Sequence, residues 1–205
     1  GALRLRGEGA LLACAGLDDA GYDKRDEVPF DFERRRSSVV VERDGALTLI
    51  CKGAPEGIFA AASACESGST VVPLDDAGRA RSRAVFEELC RQGFRVLAVA
   101  YRAPAPAGAW SAADERELTL AGFVAFADPP LADARDAIAA LARDGVAVKI
   151  LTGDDELVAR HVCADVGLDV SEIVLGRDLE RMTDAALAHV AKRATVFARV
   201  SPAQK

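Results

Sequence analysis

Two textures of hydrophobic spacing divide the chain. In the first, SSVVVER and ALTLI are β-rich runs separated by Asp44-Gly45, a strong hairpin signal because both residues tolerate the positive φ of a tight two-residue turn. PEGIFAAASACE then reads as a helix, RARSRAVFEELCRQG as an amphipathic helix stopped by Gly93, and FRVLAVAY as a strand. Together these predict an α+β unit containing a hairpin. The texture changes at Asp128-Pro129-Pro130, where two adjacent prolines stop the run AGFVAFA. Helix LADARDAIAALARDG, strand VAVKIL, helix DELVARHVCADVG, strand EIVL, helix DAALAHVAKR and strand TVFA follow in alternation. Short apolar strands between helices imply a parallel sheet covered on both faces. The domain boundary is therefore placed at the proline pair, giving residues 1–127 and 128–205. APAPAGAW, with Pro104, Pro106 and Gly108, is linker-like.

Composition narrows the classes. With 205 residues, half of them hydrophobic, the chain can bury a sizeable core, which excludes an intrinsically disordered protein. A formal charge of -6, from 26 basic and 32 acidic side chains, repels a nucleic-acid backbone, so no nucleic-acid partner is expected. The longest apolar runs, around Val96–Tyr101 and Ala121–Ala127, fall far short of the roughly 20 residues that cross a bilayer. Arg6, Glu8, Asp18 and Asp19 interrupt the opening stretch before any export-type pattern is complete. Cys14, Cys51, Cys65, Cys90 and Cys163 are scattered without a C-x-x-C pair, as expected of a reduced, cytoplasmic compartment.

Three places carry candidate chemistry. In VAVKILTGDDELVARHVC a buried strand runs into Thr152-Gly153-Asp154 and then a helix, the position at which open α/β sheets hold ligands, with free helix amides that favour an anion. An ordinary β–α turn with Asp154 or Asp155 as N-cap explains the same residues. Lys52-Gly53-Ala54-Pro55-Glu56 follows the strand ALTLIC, so the lysine can meet a phosphate as a point charge and the glycine can admit a ligand to the backbone. A solvated lysine before a helix with Pro55 in its first turn is the plain alternative. Third, Pro29-Phe30-Asp31-Phe32-Glu33-Arg34-Arg35-Arg36 sets aromatic rings beside three arginines, a combination suited to a nucleotide base and its phosphates. Core phenylalanines beside a charged strand edge would give the same run. His161 and His189 have no partner at metal-ligand spacing and are read as structural. There is no G-x-x-x-x-G-K-[ST] loop, G-x-S-x-G elbow or D-x-D-x-T nucleophile motif.

The order PFDFERRRSSVVV, KGAPE, FRVLAVAYR, DPP, ILTGDDELVARHVCADVGL and VFARVSPAQK resembles the cytoplasmic part of a P-type ion-pumping ATPase over nearly the whole chain. DFERRRSSVVV and TGDDELVARHVCADVGL look most like its bacterial magnesium-transporting subgroup. The resemblance implies an α/β protein overall: an α+β nucleotide-binding domain with an antiparallel sheet, then an incomplete haloacid-dehalogenase-like phosphorylation domain with a doubly wound parallel sheet. It also implies ATP and Mg2+ as cofactors. Phe30 would stack on adenine, Glu8 would hydrogen-bond it, Lys52 and Gly53 would line the pocket, and Arg95 would reach the phosphates. Thr152, Gly153 and Asp154 would contact the transferred phosphoryl group and its magnesium, and Lys205 would neutralise phosphoryl charge. No metal ligand beyond these is assigned.

The chain lacks the Asp-Lys-Thr-Gly-Thr motif that carries the family's phosphorylated aspartate, and the Gly-Asp-Gly motif that supplies a magnesium ligand. The expectation is a cytoplasmic-side piece of a plasma-membrane pump, able to bind ATP but inactive alone. Its partners would be the missing half of the phosphorylation domain, the actuator and the transmembrane domains. A soluble haloacid-dehalogenase-type phosphatase and a non-catalytic interaction module stay open as alternatives.

Overall fold

The computed structural model describes residues 2–6, 21–105 and 108–205. They fall into two units: the described residues up to Phe86 together with Val96–Phe126, and Glu87–Arg95 together with Ala127–Lys205. In chain order the first unit is built on β1 (Ala2–Arg6), β2 (Asp23–Asp31), β3 (Arg36–Arg43), β4 (Ala46–Gly53), α1 (Pro55–Ala61), β5 (Ala62–Ser67), β6 (Thr70–Pro73), most of α2 (Asp76–Arg91), β7 (Phe94–Arg102) and β8 (Leu118–Ala127). Its strands lie in the order β2-β3-β4-β7-β8-β5-β6, with β1 also paired to β8. The β2–β3, β3–β4, β4–β7 and β5–β6 ladders are antiparallel and β5–β8 is parallel, so the sheet is mostly antiparallel, as the hairpin signal implied.

Asp44 (φ 51°) and Gly45 (φ 77°) make the expected left-handed turn between β3 and β4, whose ladder runs without a break from Arg43↔Ala46 to Arg36↔Gly53. Period-two burial then fills the core from one face: Ser38 and Val40 on β3, Leu49 and Cys51 on β4, and Ala98 and Ala100 on β7 are all buried. Phe123 of β8 meets Phe59 edge-on at 6.0 Å and lies roughly parallel to Phe86 at 6.5 Å, joining α1, α2 and the sheet.

The helix expected over PEGIFAAASACE is half strand. It ends at Ala61, and Ala62 turns extended (φ −87°, ψ 135°) to start β5. Alanine-rich sequence favours helix locally, but parallel pairing with the buried strand β8, at Ala62↔Leu118 and Cys65↔Leu120, overrides that preference.

The second unit alternates as the sequence suggests: α3 (Ala134–Arg143), β9 (Ile150–Leu151), α4 (Glu156–Asp165), β10 (Ile173–Leu175), α5 (Gly176–Leu179), α6 (Asp184–Arg193) and β11 (Val196–Ala198). Its three strands are parallel in the order β10-β11-β9. On β11, Val196 and Ala198 pack with Ala159 and Cys163 of α4, whereas Phe197 faces a second cluster that includes Val190 and Ala191 of α6. The sheet is therefore covered on both faces. Strand VAVKIL contracts to two residues because β11 offers so short a ladder for it to join. Among the described residues, no helix is long and apolar enough to cross a membrane.

Gly53 closes the β3–β4 ladder in a space with no room for a side chain: a Cβ there would stand 2.5 Å from the Arg35 carbonyl oxygen and 2.7 Å from the Arg36 Cα. Backbone cannot yield as a flexible side chain would. Gly53→Ala should therefore destabilise the first unit by about 1–3 kcal/mol, read as a lower urea midpoint at unchanged slope.

Candidate functional site

Phe30 stands on an irregular stretch of β2. Val28 pairs with Ser38 and Asp31 with Arg36, so Pro29 and Phe30 together oppose the single residue Ser37. Ser37 in turn pairs with Lys52, which places Phe30 and Lys52 in one row across three strands. Both side chains are exposed, Phe30 by 54%. Phe32, exposed by 74%, meets the Phe30 ring edge-on at 5.3 Å. The reading of these rings as core phenylalanines is thus overturned; the bulge and the following turn carry them outward.

That turn is held by charge. The Asp31 carboxylate accepts from the Arg34 and Glu33 amides (2.8 and 2.9 Å), and the Arg34 amide above all holds its carboxyl below the usual range. Arg35 adopts φ 51°, with its N–H on the Asp31 carbonyl (2.7 Å) and its own carbonyl accepting from the Ala54 N–H (2.9 Å). Behind the turn lies a residue that the sequence did not single out. The Glu115 side chain is fully buried; its Oε2 accepts from Arg34 Nη1 and from Arg36 Nε (2.7 Å), and its Oε1 accepts from Ser38 Oγ (2.8 Å). Burial pushes the Glu115 carboxyl up, but the hydrogen bonds from Arg34, Arg36 and Ser38 outweigh it and hold the group below its ordinary value. The same arginines reach onward, Arg34 Nη2 to the Pro29 carbonyl and Arg36 Nη1 to the Gly57 carbonyl, each 2.9 Å. The one hint in the sequence was three consecutive arginines needing counter-charge. ADERE offers Asp114, Glu115 and Glu117 almost side by side, and only the fold selects Glu115.

In the second unit, Thr152-Gly153-Asp154 follows β9. Thr152 Oγ1 donates to Asp154 Oδ2 (2.7 Å) and lies 3.1 Å from the Asp154 N–H. The helix cap falls to Asp155, whose Oδ1 accepts from the Leu157 N–H (2.8 Å), leaving Asp154 outside the cap. Arg95, which belongs to this unit, donates from Nε to Asp154 Oδ1 (2.8 Å) and from Nη1 to Asp128 Oδ2 (3.3 Å). Arg199 is a further residue the reading missed. With φ 55° it puts its N–H on the Asp154 carbonyl (2.9 Å) and its guanidinium on Asp155 and Glu156 (2.6 Å to the latter). Burial first, and then the neighbouring Glu156, raise the Asp155 carboxyl despite that guanidinium.

Gly153 and Lys205 are exposed, and the Lys205 N–H closes a turn on the Ser201 carbonyl (3.2 Å). Glu8 lies outside the described residues. Thr152, Gly153 and Asp154 are thus brought together with Arg95 in one unit, and Phe30, Lys52 and Gly53 in the other. Among the described residues, no group of three or more His, Cys, Asp or Glu side chains is placed to hold a metal, and Asp154 is engaged by Thr152 and Arg95.

Comparison with known proteins places this architecture. The family model described as "P-type ATPase, cytoplasmic domain N" matches residues 9–133. The magnesium-transporting ATPase, P-type 1, of Escherichia coli (strain K12) is 48% identical over 186 residues, covering 90% of this chain and 21% of that protein. A protein of the same name from Salmonella typhimurium (strain LT2) is 45% identical over 204 residues, 97% of this chain and 22% of its own length. The calcium-transporting ATPase of Bacillus subtilis (strain 168) is 32% identical over 210 aligned positions, 97% of this chain and 24% of its own length. The chain belongs to the P-type ATPases. It spans about a fifth to a quarter of the length of the curated relatives it matches.

Removing the buried carboxylate leaves two guanidiniums without their counter-charge, so Glu115→Ala should cost about 3–5 kcal/mol of stability. The pH dependence has a definite sign. A carboxyl held below its ordinary value of 4.5 contributes stability that is present above that pH and lost as pH falls through the lower folded value. Melting curves of the unsubstituted chain and Glu115→Gln should accordingly lie well apart at neutral pH and draw together only as pH falls below 4.5 and through the lower folded value.

Proposed function

We propose that the first unit binds ATP, with Phe30 stacked on the base and Lys52 and Gly53 beside it, and that the domains divide at residues 1–127 and 128–205. The observation that carries this reading is the exposed Phe30 ring on the β2 bulge, in one row with an exposed strand-end lysine and edge-on to the exposed Phe32 ring in the turn that follows. A large apolar side chain held open to water costs free energy, and a stacked base recovers it. Lys52, exposed at the strand end, can meet a phosphate as a point charge, whereas Gly53 packs against the backbone of Arg35 and Arg36. Family membership supports the same ligand.

The second unit we read as part of a haloacid-dehalogenase-like phosphorylation domain, a reading supported by its parallel sheet covered on both faces. Thr152, Gly153 and Asp154 stand at the carboxyl end of a parallel strand, where such sheets gather ligands. Lys205 and Arg95 are the cations we assign to the phosphoryl and phosphate charge, Arg95 after exchanging its present partners Asp154 and Asp128. Glu8 remains our candidate for a hydrogen bond to adenine. The parent protein is proposed to be a plasma-membrane cation pump with this portion on the cytoplasmic side and magnesium as its cargo. The 45–48% identity to magnesium-transporting ATPases, against 32% to a calcium-transporting one, supports that choice.

Stacking on an aromatic face is worth roughly 1–3 kcal/mol per base, so Phe30→Ala should weaken ATP binding about tenfold or more and leave the fold intact. Calorimetric titration of both proteins measures this, and equal affinities would move the base elsewhere, first to Phe32. Lys52→Ala should also weaken ATP binding while leaving the ligand-free melting temperature nearly unchanged, since the side chain is exposed. A large drop in melting temperature would mark the lysine as structural instead.

A further inference from the structure

We infer that Glu115 is a positioning residue for nucleotide binding: it fixes the place of Phe30 on the β2 bulge without touching the ligand, an inference that rests on the ATP reading above. Its side chain has no exposure, so it cannot meet a bound molecule. What it does touch are the supports of the aromatic hairpin. Arg34 carries the link to the Pro29 carbonyl, one residue before Phe30, and Arg36 carries it to the Gly57 carbonyl in α1, just past Lys52-Gly53. Ser38 anchors the carboxylate to the strand that pairs with both sides. One buried acid thereby fastens the ring-bearing strand, and the helix that follows the lysine-bearing strand, to a common point.

The bulge makes that fastening necessary. Two residues, Pro29 and Phe30, face one on the partner strand, so the ladder alone leaves the extra residue unpaired and its register weakly held. Proline also has no N–H to give the ladder. The Arg34 bond to the Pro29 carbonyl supplies the missing constraint, and Arg34 is aimed there because its other nitrogen is held by Glu115. With a neutral residue at 115, the Arg34 and Arg36 guanidiniums repel each other and lose their shared anchor. Phe30 then keeps its exposure but not its position.

A double-mutant cycle tests this. ATP is titrated calorimetrically into the 205-residue chain, Phe30→Ala, Glu115→Gln and the double variant, each well below its own melting temperature. Glu115→Gln should weaken ATP binding about tenfold in the presence of Phe30 and less than about twofold in its absence, because neighbours acting through one contact are not additive. A purely structural Glu115 would change affinity equally in both backgrounds, or not at all, and either result overturns the inference. If Glu115→Gln does not fold, Arg34→Lys enters the same cycle, keeping the charge but losing the fork between Glu115 and Pro29. ATP binding by the unsubstituted chain that Phe30→Ala weakens, with no such coupling, overturns this inference alone. No saturable ATP binding to the unsubstituted chain overturns the nucleotide reading and this inference with it.

Discussion

Around the fully buried carboxylate of Glu115 the first unit assembles two arginines, a serine, a strand bulge and the start of a helix. Burying an ion is unfavourable unless counter-charge and hydrogen-bond donors meet it, and here two guanidiniums and a hydroxyl converge on two oxygens. The arrangement restricts the backbone as much as it stabilises it. The turn at Arg35 closes with its carbonyl accepting from the Ala54 N–H, and Arg34 and Arg36 on either side of it both reach Glu115. That closure brings Arg36 against Gly53, where no Cβ could stand. Exposed rings and a strand-end lysine are then presented on a scaffold that cannot easily relax.

The second unit solves a similar problem with exposed and half-buried charges. Arg199 occupies a left-handed backbone conformation, and its N–H and guanidinium tie the segment after β11 to the Asp154 carbonyl, Asp155 and Glu156. Val200 adds a backbone bond to the Thr152 carbonyl at 3.1 Å. The Thr152-Gly153-Asp154 turn is thereby clamped from the neighbouring strand's end, and Thr152 Oγ1 orients the Asp154 carboxylate away from the helix cap. Strain in a non-glycine residue persists only where its surroundings fix it, and such residues gather near sites of chemistry.

Much of this was legible from the chain. Asp44-Gly45 announced its hairpin because few residue pairs tolerate two positive φ angles in succession. Alternating helix and strand signals past Pro130 announced a parallel sheet covered on both faces, and the order of motifs pointed to the family that the comparisons bear out. What failed were decisions taken by partners distant in sequence. Ala62–Ser67 looked helical until β8 offered it a ladder, and VAVKIL looked like a full strand until β11 proved short.

The sequence by itself determined the local grammar, namely turns and the spacing of apolar faces, and through motif order the family. These depend on residues near one another along the chain, where backbone sterics and hydrophobic period act directly. Only the tertiary structure decided that Phe30 and Phe32 face water, that Asp155 rather than Asp154 caps α4, and that one acid of ADERE is buried between two arginines some 80 positions away. The reason is physical. A charge can be buried only where the fold delivers its counter-charges, and that depends on contacts across the sheet to which periodicity and propensity are blind.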